Sequence, residues 1–293
     1  MFKKVLIKFG ARKFKQWLFR FIINLHALIW SKKIYKFKFS PLMQNLDLKT
    51  INNFFDLAFP QKNLLPIEQN PQKKNIIIIA PHPDDEVLGA FGLLSSLRSK
   101  ITVIYLSSGS FEDSLIREKE ARIVCKKMNV NCFFFNKNLY EEEINFEEIV
   151  KKILEIKPDI ISLPFIVDDH IHHLISNKII LQIPKFLDSE IWAYQVYTTI
   201  CSNVFIDLSS RYSEKEEIMK EYKSQMKGFD WIHFNKGLNA WNSRFTLTEP
   251  SLYKKQIKYS ENYFVVNLNE YRKICEKHID DFKKIKRISK TNI

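Results

Sequence analysis

Apolar positions in the middle of the chain fall into two alternating patterns, short continuous runs and sets with helical spacing. The continuous runs predict buried strands at Ile76–Ala80, Ile101–Leu106, Cys132–Phe135, Asp159–Phe165, Ile191–Thr198 and Val204–Leu208. The helically spaced sets predict helices at Glu86–Ser99, Arg117–Met128, Ile144–Ile156 and Glu214–Lys227. Strands that alternate with helices are typical of βαβ units. The pattern therefore predicts an α/β, Rossmann-like three-layer fold with a mostly parallel sheet.

Composition and charge narrow the class of protein. Hydrophobic residues make up 45% of the 293 residues and charged residues 27%, which is ordinary for a globular chain and excludes wholesale disorder. The formal net charge is +13, but eleven Lys and Arg residues lie within residues 1–40, a segment without Asp or Glu. The remainder has 35 basic and 33 acidic residues, so we expect no nucleic-acid partner for the body of the protein.

Residues 11–30 predict an amphipathic helix, because Arg12, Gln16, Arg20 and Asn24 recur every four residues among apolar and aromatic neighbours. The segment is too polar to cross a bilayer, which takes roughly 20 apolar residues. Two interpretations stay open. The helix lies in a membrane interface and contacts anionic headgroups, or it packs on the protein's own core or in an oligomer. In the first case the protein binds peripherally to the inner membrane face.

These patterns divide the chain into a basic amphipathic segment (1–45), a single α/β domain (46–282) and a short basic tail (283–293). The four cysteines are far apart and form no Cys-x-x-Cys pair, which argues against a disulfide framework and against a cysteine-based zinc site. We therefore expect reduced thiols and a cytoplasmic protein.

Two polar clusters directly follow predicted strands. Residues 81–86 read Pro-His-Pro-Asp-Asp-Glu after the first strand, and residues 168–173 read Asp-Asp-His-Ile-His-His after the fourth. Active sites of open parallel sheets lie at the carboxyl ends of strands, and these clusters hold four of the seven histidines. Imidazole and carboxylate ligands suit a divalent metal, zinc first. The alternative is a helix N-cap beside surface histidines.

The motif His-Pro-Asp-Asp-Glu at 82–86, with a strand before it and a later His-x-x-His at 170–173, resembles the zinc-dependent PIG-L/LmbE-like de-N-acetylases. Weaker matches follow in order along the chain. They are Arg-x-x-Glu-Ala at 117–121, a strand pair at 194–197 and 203–207, Tyr-x-Ser-Gln at 222–225, and Ser-Glu-Asn-Tyr-Phe at 260–264. The resemblance covers about residues 75–265.

The resemblance implies a metal site with His82, Asp85 and His173 as ligands and Asp84 as the general base. The implied metal is zinc, with another divalent ion such as Fe²⁺ as the alternative. The implied reaction is hydrolysis of an N-acetyl group from an amino-sugar-containing substrate. That substrate is a surface-glycan precursor, a lipid-linked sugar or a nucleotide-linked sugar.

The resemblance further implies that His170 stabilises the oxyanion or protonates the leaving amine, and that Arg117 contacts the substrate. One position departs from the family, which usually has His-x-Asp-His where this chain has His172 in third place. The missing carboxylate lowers activity, or its work passes to Asp168 or Asp169. Two other functions therefore stay open: a catalytically silent sugar-binding relative, and an amidase acting on a non-sugar acyl amine.

Overall fold

The computed structural model describes residues 67–290, apart from 97, 110–112, 142–143, 169, 199, 201 and 247–256. The helix expected over residues 11–30, and with it the proposed membrane contact and the boundary near residue 45, lies outside the described residues. The described residues up to Lys283 belong to one compact unit. Cys125, Cys132 and Cys275 are free thiols there.

Strands and helices alternate along the described part of the chain. The strands are β1 (Ile67–Glu68), β2 (Asn75–Ala80), β3 (Lys100–Tyr105), β4 (Asn131–Phe134), β5 (Ile160–Pro164), β6 (Glu190–Tyr194), β7 (Val204–Asp207) and β8 (Ser260–Asn267). The helices are α1 (Asp85–Leu94), α2 (Ser114–Met128), α3 (Glu147–Ile156), α4 (Ile171–Ser176), α5 (Ile179–Gln182), α6 (Tyr212–Met219), α7 (Trp231–Ser243) and α8 (Leu268–Lys290), with a 3-10 turn at Arg244–Thr246.

The strands form one sheet in the order β1-β7-β8-β6-β5-β2-β3-β4. Strands β5, β2, β3 and β4 run parallel, β6 is parallel to β5, and β1 is parallel to β7. Strand β8 is antiparallel to both of its neighbours, β6 and β7. The prediction of a mostly parallel α/β sheet is confirmed.

The side chains of strand β2 show that both faces of the sheet are covered. Its four isoleucines are completely buried, although successive side chains of a strand point to opposite faces. Ile76 and Ile78 belong to the apolar cluster that includes Phe91 of α1 and Val124 of α2. Its other two isoleucines point to the opposite face and are equally inaccessible to water. The sheet that contains this strand is therefore the middle layer of three.

Some predicted elements end earlier than the apolar pattern suggests, because side chains bind the backbone and turn it. The helix predicted to reach Ser99 ends at Leu94, after a break at Ala90 where φ is −132°. The strand predicted to reach Thr198 ends at Tyr194, and the next residues leave the sheet.

The helix predicted over Glu214–Lys227 ends at Met219. The following residues turn towards α2, where Ser224 donates its backbone N–H and its hydroxyl to Glu120 at 2.9 and 2.6 Å. Glu120 and Ser224 belong to two separate motifs of the family resemblance, so these motifs bind each other.

The apolar pattern did not predict α7, because the inward face of this helix is built from asparagines. Asn235, Asn239 and Asn242 are all buried. Asn235 donates to the Leu88 carbonyl at 2.8 Å, and Asn242 donates to the Gln195 side chain at 2.8 Å. Hydrogen bonds thus hold this helix where hydrophobic contacts would normally do so.

A buried ion pair fills the break in α1. The Lys215 ammonium lies 2.7 Å from Glu261 Oε1 and also donates to the Leu88 carbonyl at 2.9 Å. The Glu261 carboxylate accepts the backbone N–H groups of Phe91 and Gly92, at 3.1 and 2.7 Å. The two charges therefore bind the carbonyl before the break and the N–H groups after it.

The last helix continues to Lys290, so residues 283–290 of the predicted basic tail are helical. Among the described residues, no helix is long and apolar enough to span a membrane.

Candidate functional site

The two polar clusters meet at the carboxyl ends of β2 and β5, which are neighbours in the sheet. His82 lies in the loop after β2, whereas His170, His172 and His173 lie at the start of α4, after β5. The ring centroid of His82 is 5.1, 4.9 and 6.0 Å from those three rings. Parallel strands that end at one edge bring together residues far apart in sequence.

The turn after β2 holds Asp84 in an unusual conformation, with φ at 121°. This backbone region costs a non-glycine residue about 1–3 kcal/mol and persists only when its surroundings enforce it. Here the Asp84 N–H donates to Glu86 Oε2 at 3.1 Å, and Tyr222 donates its hydroxyl to Glu86 Oε1. Burial raises the pKa of Glu86 to about 7. Glu86 therefore stabilises the turn by accepting these two hydrogen bonds. Its side chain does not line the cavity into which the site opens.

Asp85 and His173 face each other across the two loops. Asp85 Oδ1 lies 3.2 Å from His173 Nε2, and both side chains are buried. The other carboxylate oxygen of Asp85 accepts the His82 backbone N–H at 2.9 Å and lies 3.3 Å from His82 Nδ1. These three are the residues that the family resemblance implies as metal ligands.

A cation fits between these residues. Asp85 Oδ1 and His173 Nε2 are buried, and among the described residues neither has a hydrogen-bond partner. Burial alone lowers the pKa of His173, but the carboxylates of Asp85 and Asp168 raise it to about 10. Burial likewise raises the pKa of Asp85, and the imidazoles of His173 and His82 bring it well below its usual range. His82, Asp85 and His173 each offer a ligand atom within 4.8 Å of the others, and this donor set suits zinc.

Asp168 orients His173 from the far side of the ring. Its Oδ1 lies 2.7 Å from His173 Nδ1. Its Oδ2 accepts the backbone N–H groups of Val196 and Tyr197 at 3.3 and 3.1 Å, which is why β6 ends before these residues. The Tyr197 ring also stacks on the imidazole, with centroids 5.3 Å apart. A carboxylate that binds the second nitrogen fixes the tautomer of a metal-binding histidine.

His170 caps the amino end of α4, and its Nδ1 accepts the His172 N–H at 3.1 Å. Burial, followed by the charges of His173 and His82, lowers the pKa of His170 to about 4. The ring is therefore neutral at pH 7 and carries its proton on Nε2. His170 lines the cavity beside Asp84, so this N–H is a hydrogen-bond donor at the site.

His172 occupies the position where the family usually has a carboxylate. Its Nδ1 contacts His82 Nε2 at 2.7 Å. The carboxylate next to the implied ligand His173 is instead Asp168, one of the two residues that the sequence offered for this role. Asp169, the other, lies outside the described residues.

The site opens into a cavity of about 860 Å³. Asp84 and Arg117 both line it, along with aromatic side chains such as Tyr140, Tyr197 and Trp231. Burial and the neighbouring Asp85 carboxylate raise the pKa of Asp84 well above its usual range, while Arg117 opposes the shift. A carboxylate with a raised pKa, facing a cavity, is suited to accept a proton.

Arg117 lies against the backbone of Gly109, where φ is 88°. The positive φ favours glycine at this position, and a Cβ atom there would lie only 2.6 Å from Arg117 Nη1, so that the guanidinium would have to shift. The structure thus brings all six sequence-predicted site residues to one place. Tyr197 and Tyr222 lie in segments of the family resemblance, but the sequence assigned neither of them a role at the site, because their contacts arise only on folding.

Asp168→Asn is expected to weaken divalent-metal binding about 10–100-fold, because the amide cannot hold His173 in the same tautomer with the same charge. Isothermal titration of the chelator-treated protein with Zn²⁺ measures this loss. Asp159→Asn is the matched control, since Asp159 also accepts a backbone N–H, from Asn75 at 2.7 Å, but lies before β5 begins, at the opposite end of that strand from the site. Equal affinities of the two variants would refute the orienting role of Asp168.

Comparison with known proteins adds a family match and a shared fold. Residues 77–183 match the profile of the family described as PIG-L: GlcNAc-PI de-N-acetylase. A conserved protein of Thermus thermophilus is similar in structure, with a TM-score of 0.54 at 16% identity over 65% of this chain and 94% of that one. So is GalB, the 4-carboxy-2-hydroxymuconate hydratase of Pseudomonas putida, with a TM-score of 0.53 at 14% identity over 65% and 95%.

A deacetylase of teicoplanin biosynthesis matches at a TM-score of 0.49 and 15% identity, over 66% of this chain and 98% of that one. At these identities, the likenesses to the Thermus protein and to the hydratase show the fold alone.

Proposed function

From the match of residues 77–183 to the PIG-L family, we propose that the chain is a metal-dependent hydrolase of amino-sugar N-acetyl groups. The observation that carries the proposal is the pair Asp85 Oδ1 and His173 Nε2. These buried atoms face each other without hydrogen-bond partners, next to a carboxylate of raised pKa on an open cavity. The 3.2 Å between these two atoms is close to the separation of about 3.3 Å between two ligand atoms of one tetrahedral ion.

His82, Asp85 and His173 would hold the metal, for which zinc is the first candidate. A bound zinc ion lowers the pKa of a water ligand to about 7 and polarises a carbonyl. Three protein ligands leave room for that water. Asp168 supports this role of His173, because it binds the ring nitrogen that the metal would not use.

Asp84 would act as the general base. It takes a proton from the water that attacks the acetyl carbonyl, and the proton then passes to the amine as the C–N bond breaks. The products are acetate and the free amino sugar. His170 is proposed to donate its Nε2–H to the carbonyl oxygen as negative charge develops there, since its low pKa keeps the ring neutral.

Arg117 and the aromatic side chains would bind the substrate. The cavity of about 860 Å³ lies towards the upper end of the usual range of about 300–1,000 Å³ for ligand sites. Its mixed aromatic and polar lining suits sugar rings, which offer apolar faces and hydroxyl edges. We therefore propose a substrate larger than a single acetamido sugar, such as a glycan, lipid-linked or nucleotide-linked intermediate.

Acetate release from a panel of substrates tests this function. The panel contains free, nucleotide-linked and lipid-linked N-acetylglucosamine, a chitobiose-type disaccharide, and an N-acetylated amine without a sugar. We expect acetate from at least one extended sugar in the presence of Zn²⁺ and none after chelation. Turnover of the non-sugar amine alone would favour the amidase alternative. Binding of sugars without acetate release, with the metal bound, would favour the silent relative.

A further inference from the structure

A second group of three ligand-type side chains lies beside the first. His82, His170 and His172 offer ring nitrogens that all lie within 4.8 Å of one another. Their ring centroids form a nearly equilateral triangle, with sides of 5.1, 4.9 and 4.9 Å. Three imidazoles on one tetrahedral ion, at Zn–N distances of about 2.0–2.1 Å, place their ring centres about 5 Å apart. The triangle therefore already has the size of a three-histidine metal site.

His82 faces both groups at once. Its Nδ1 lies 3.3 Å from Asp85, whereas its Nε2 lies 2.7 Å from His172 Nδ1. Two nitrogens bound to the same tetrahedral ion are about 3.3 Å apart, so the two rings need to separate by only about 0.6 Å. The proton between them would then move to the second nitrogen of the ring that carries it.

The group exists because residue 172 is histidine. His172 is only 6% exposed, and its Nδ1 is directed at His82 Nε2. A carboxylate at this position would leave two imidazoles facing each other and remove the all-nitrogen character of the group.

We propose that His82, His170 and His172 form a second metal position, distinct from the Asp85–His173 position and sharing His82 with it. Three imidazoles without a carboxylate favour late first-row ions, and Cu²⁺ above the others in affinity. The first equivalent of Cu²⁺ therefore binds here rather than at the mixed carboxylate–imidazole position. The proposal concerns metal binding alone, so a failure of the proposed hydrolysis leaves it standing.

Electron paramagnetic resonance with one equivalent of Cu²⁺ tests the assignment, since pulsed spectra count the imidazoles bound to the ion. The full-length, chelator-treated protein is expected to show three. His172→Asp, which restores the residue usual in the family, is expected to lose one. His173→Ala, which breaks only the Asp85–His173 position, is expected to keep all three.

An imidazole count that His172→Asp leaves unchanged overturns the proposal. So does a wild-type count below three, and a further fall in His173→Ala would then assign Cu²⁺ to the Asp85–His173 position. His172→Asn serves as a second variant if the aspartate disturbs folding, which circular dichroism detects. The wild-type count decides between the two positions even if neither variant folds.

Discussion

Asp84→Asn is expected to lower kcat for acetate release by about 10²–10⁴-fold, the usual contribution of a general base. The amide cannot accept the proton of the attacking water. It keeps the size of the carboxylate and the backbone N–H that donates to Glu86, so the strained turn and the metal ligands stay in place. Metal content by atomic absorption, measured on the same samples, is therefore expected to be unchanged.

Asp188→Asn is the matched control, because Asp188 is exposed and lies outside the cavity of the site. Its activity should equal that of the wild type. An Asp84→Asn variant that keeps its metal and more than a tenth of the wild-type rate would show that another group accepts the proton. Loss of metal in this variant would instead make Asp84 a ligand.

Lys215→Met is expected to destabilise the protein by about 3–5 kcal/mol, the usual effect of removing one partner from a buried ion pair. The substitution leaves the Glu261 carboxylate buried without its counter-ion, and it frees the Leu88 carbonyl at the break of α1. Burial already lowers the pKa of Lys215, which shows how poorly solvated the pair is. Urea unfolding followed by circular dichroism measures the change.

Two further variants serve as controls for this unfolding measurement. Lys220→Met removes an exposed pair with Glu217 at the end of α6, the helix that carries Lys215, and its unfolding midpoint should stay at the wild-type value. Adding Glu261→Gln to Lys215→Met removes the stranded charge and should restore part of the loss, because the amide oxygen can still accept a backbone N–H. Equal midpoints for Lys215→Met and Lys220→Met would contradict a structural role for the buried pair.

Much of the site could be predicted because parallel strands impose one simple rule. The isoleucine run of β2 and the apolar run of β5 identify two buried parallel strands. The polar residues that follow such strands must come out at the same edge of the sheet. Loop lengths and the intervening helices do not alter this outcome. His82 and His173 meet because β2 and β5 are also neighbours in the sheet.

Contacts between side chains and distant backbone could not be predicted in the same way. Asp168 binds His173 and also ends β6, yet neither its type nor its spacing distinguishes it from Asp169. Helix α7 escaped the apolar pattern because Asn235 and its neighbours pack through hydrogen bonds, which have no periodic signature in hydrophobicity. The predicted ends of α1 and α6 were wrong because other elements of the fold bind the backbone there.

The sequence by itself determined the alternation of strands and helices from β2 to β5, the location of most of the net positive charge in the first 40 residues, and the two clusters that hold the proposed ligands and base. These features follow from local periodicity and from the short motifs. The tertiary structure alone decided which carboxylate orients His173, that Lys215 and Glu261 fill the break in α1, and that His172 lies against His82. Each of these depends on atoms brought within about 3 Å by the packing of separate elements, where desolvation makes charge and hydrogen bonding strong.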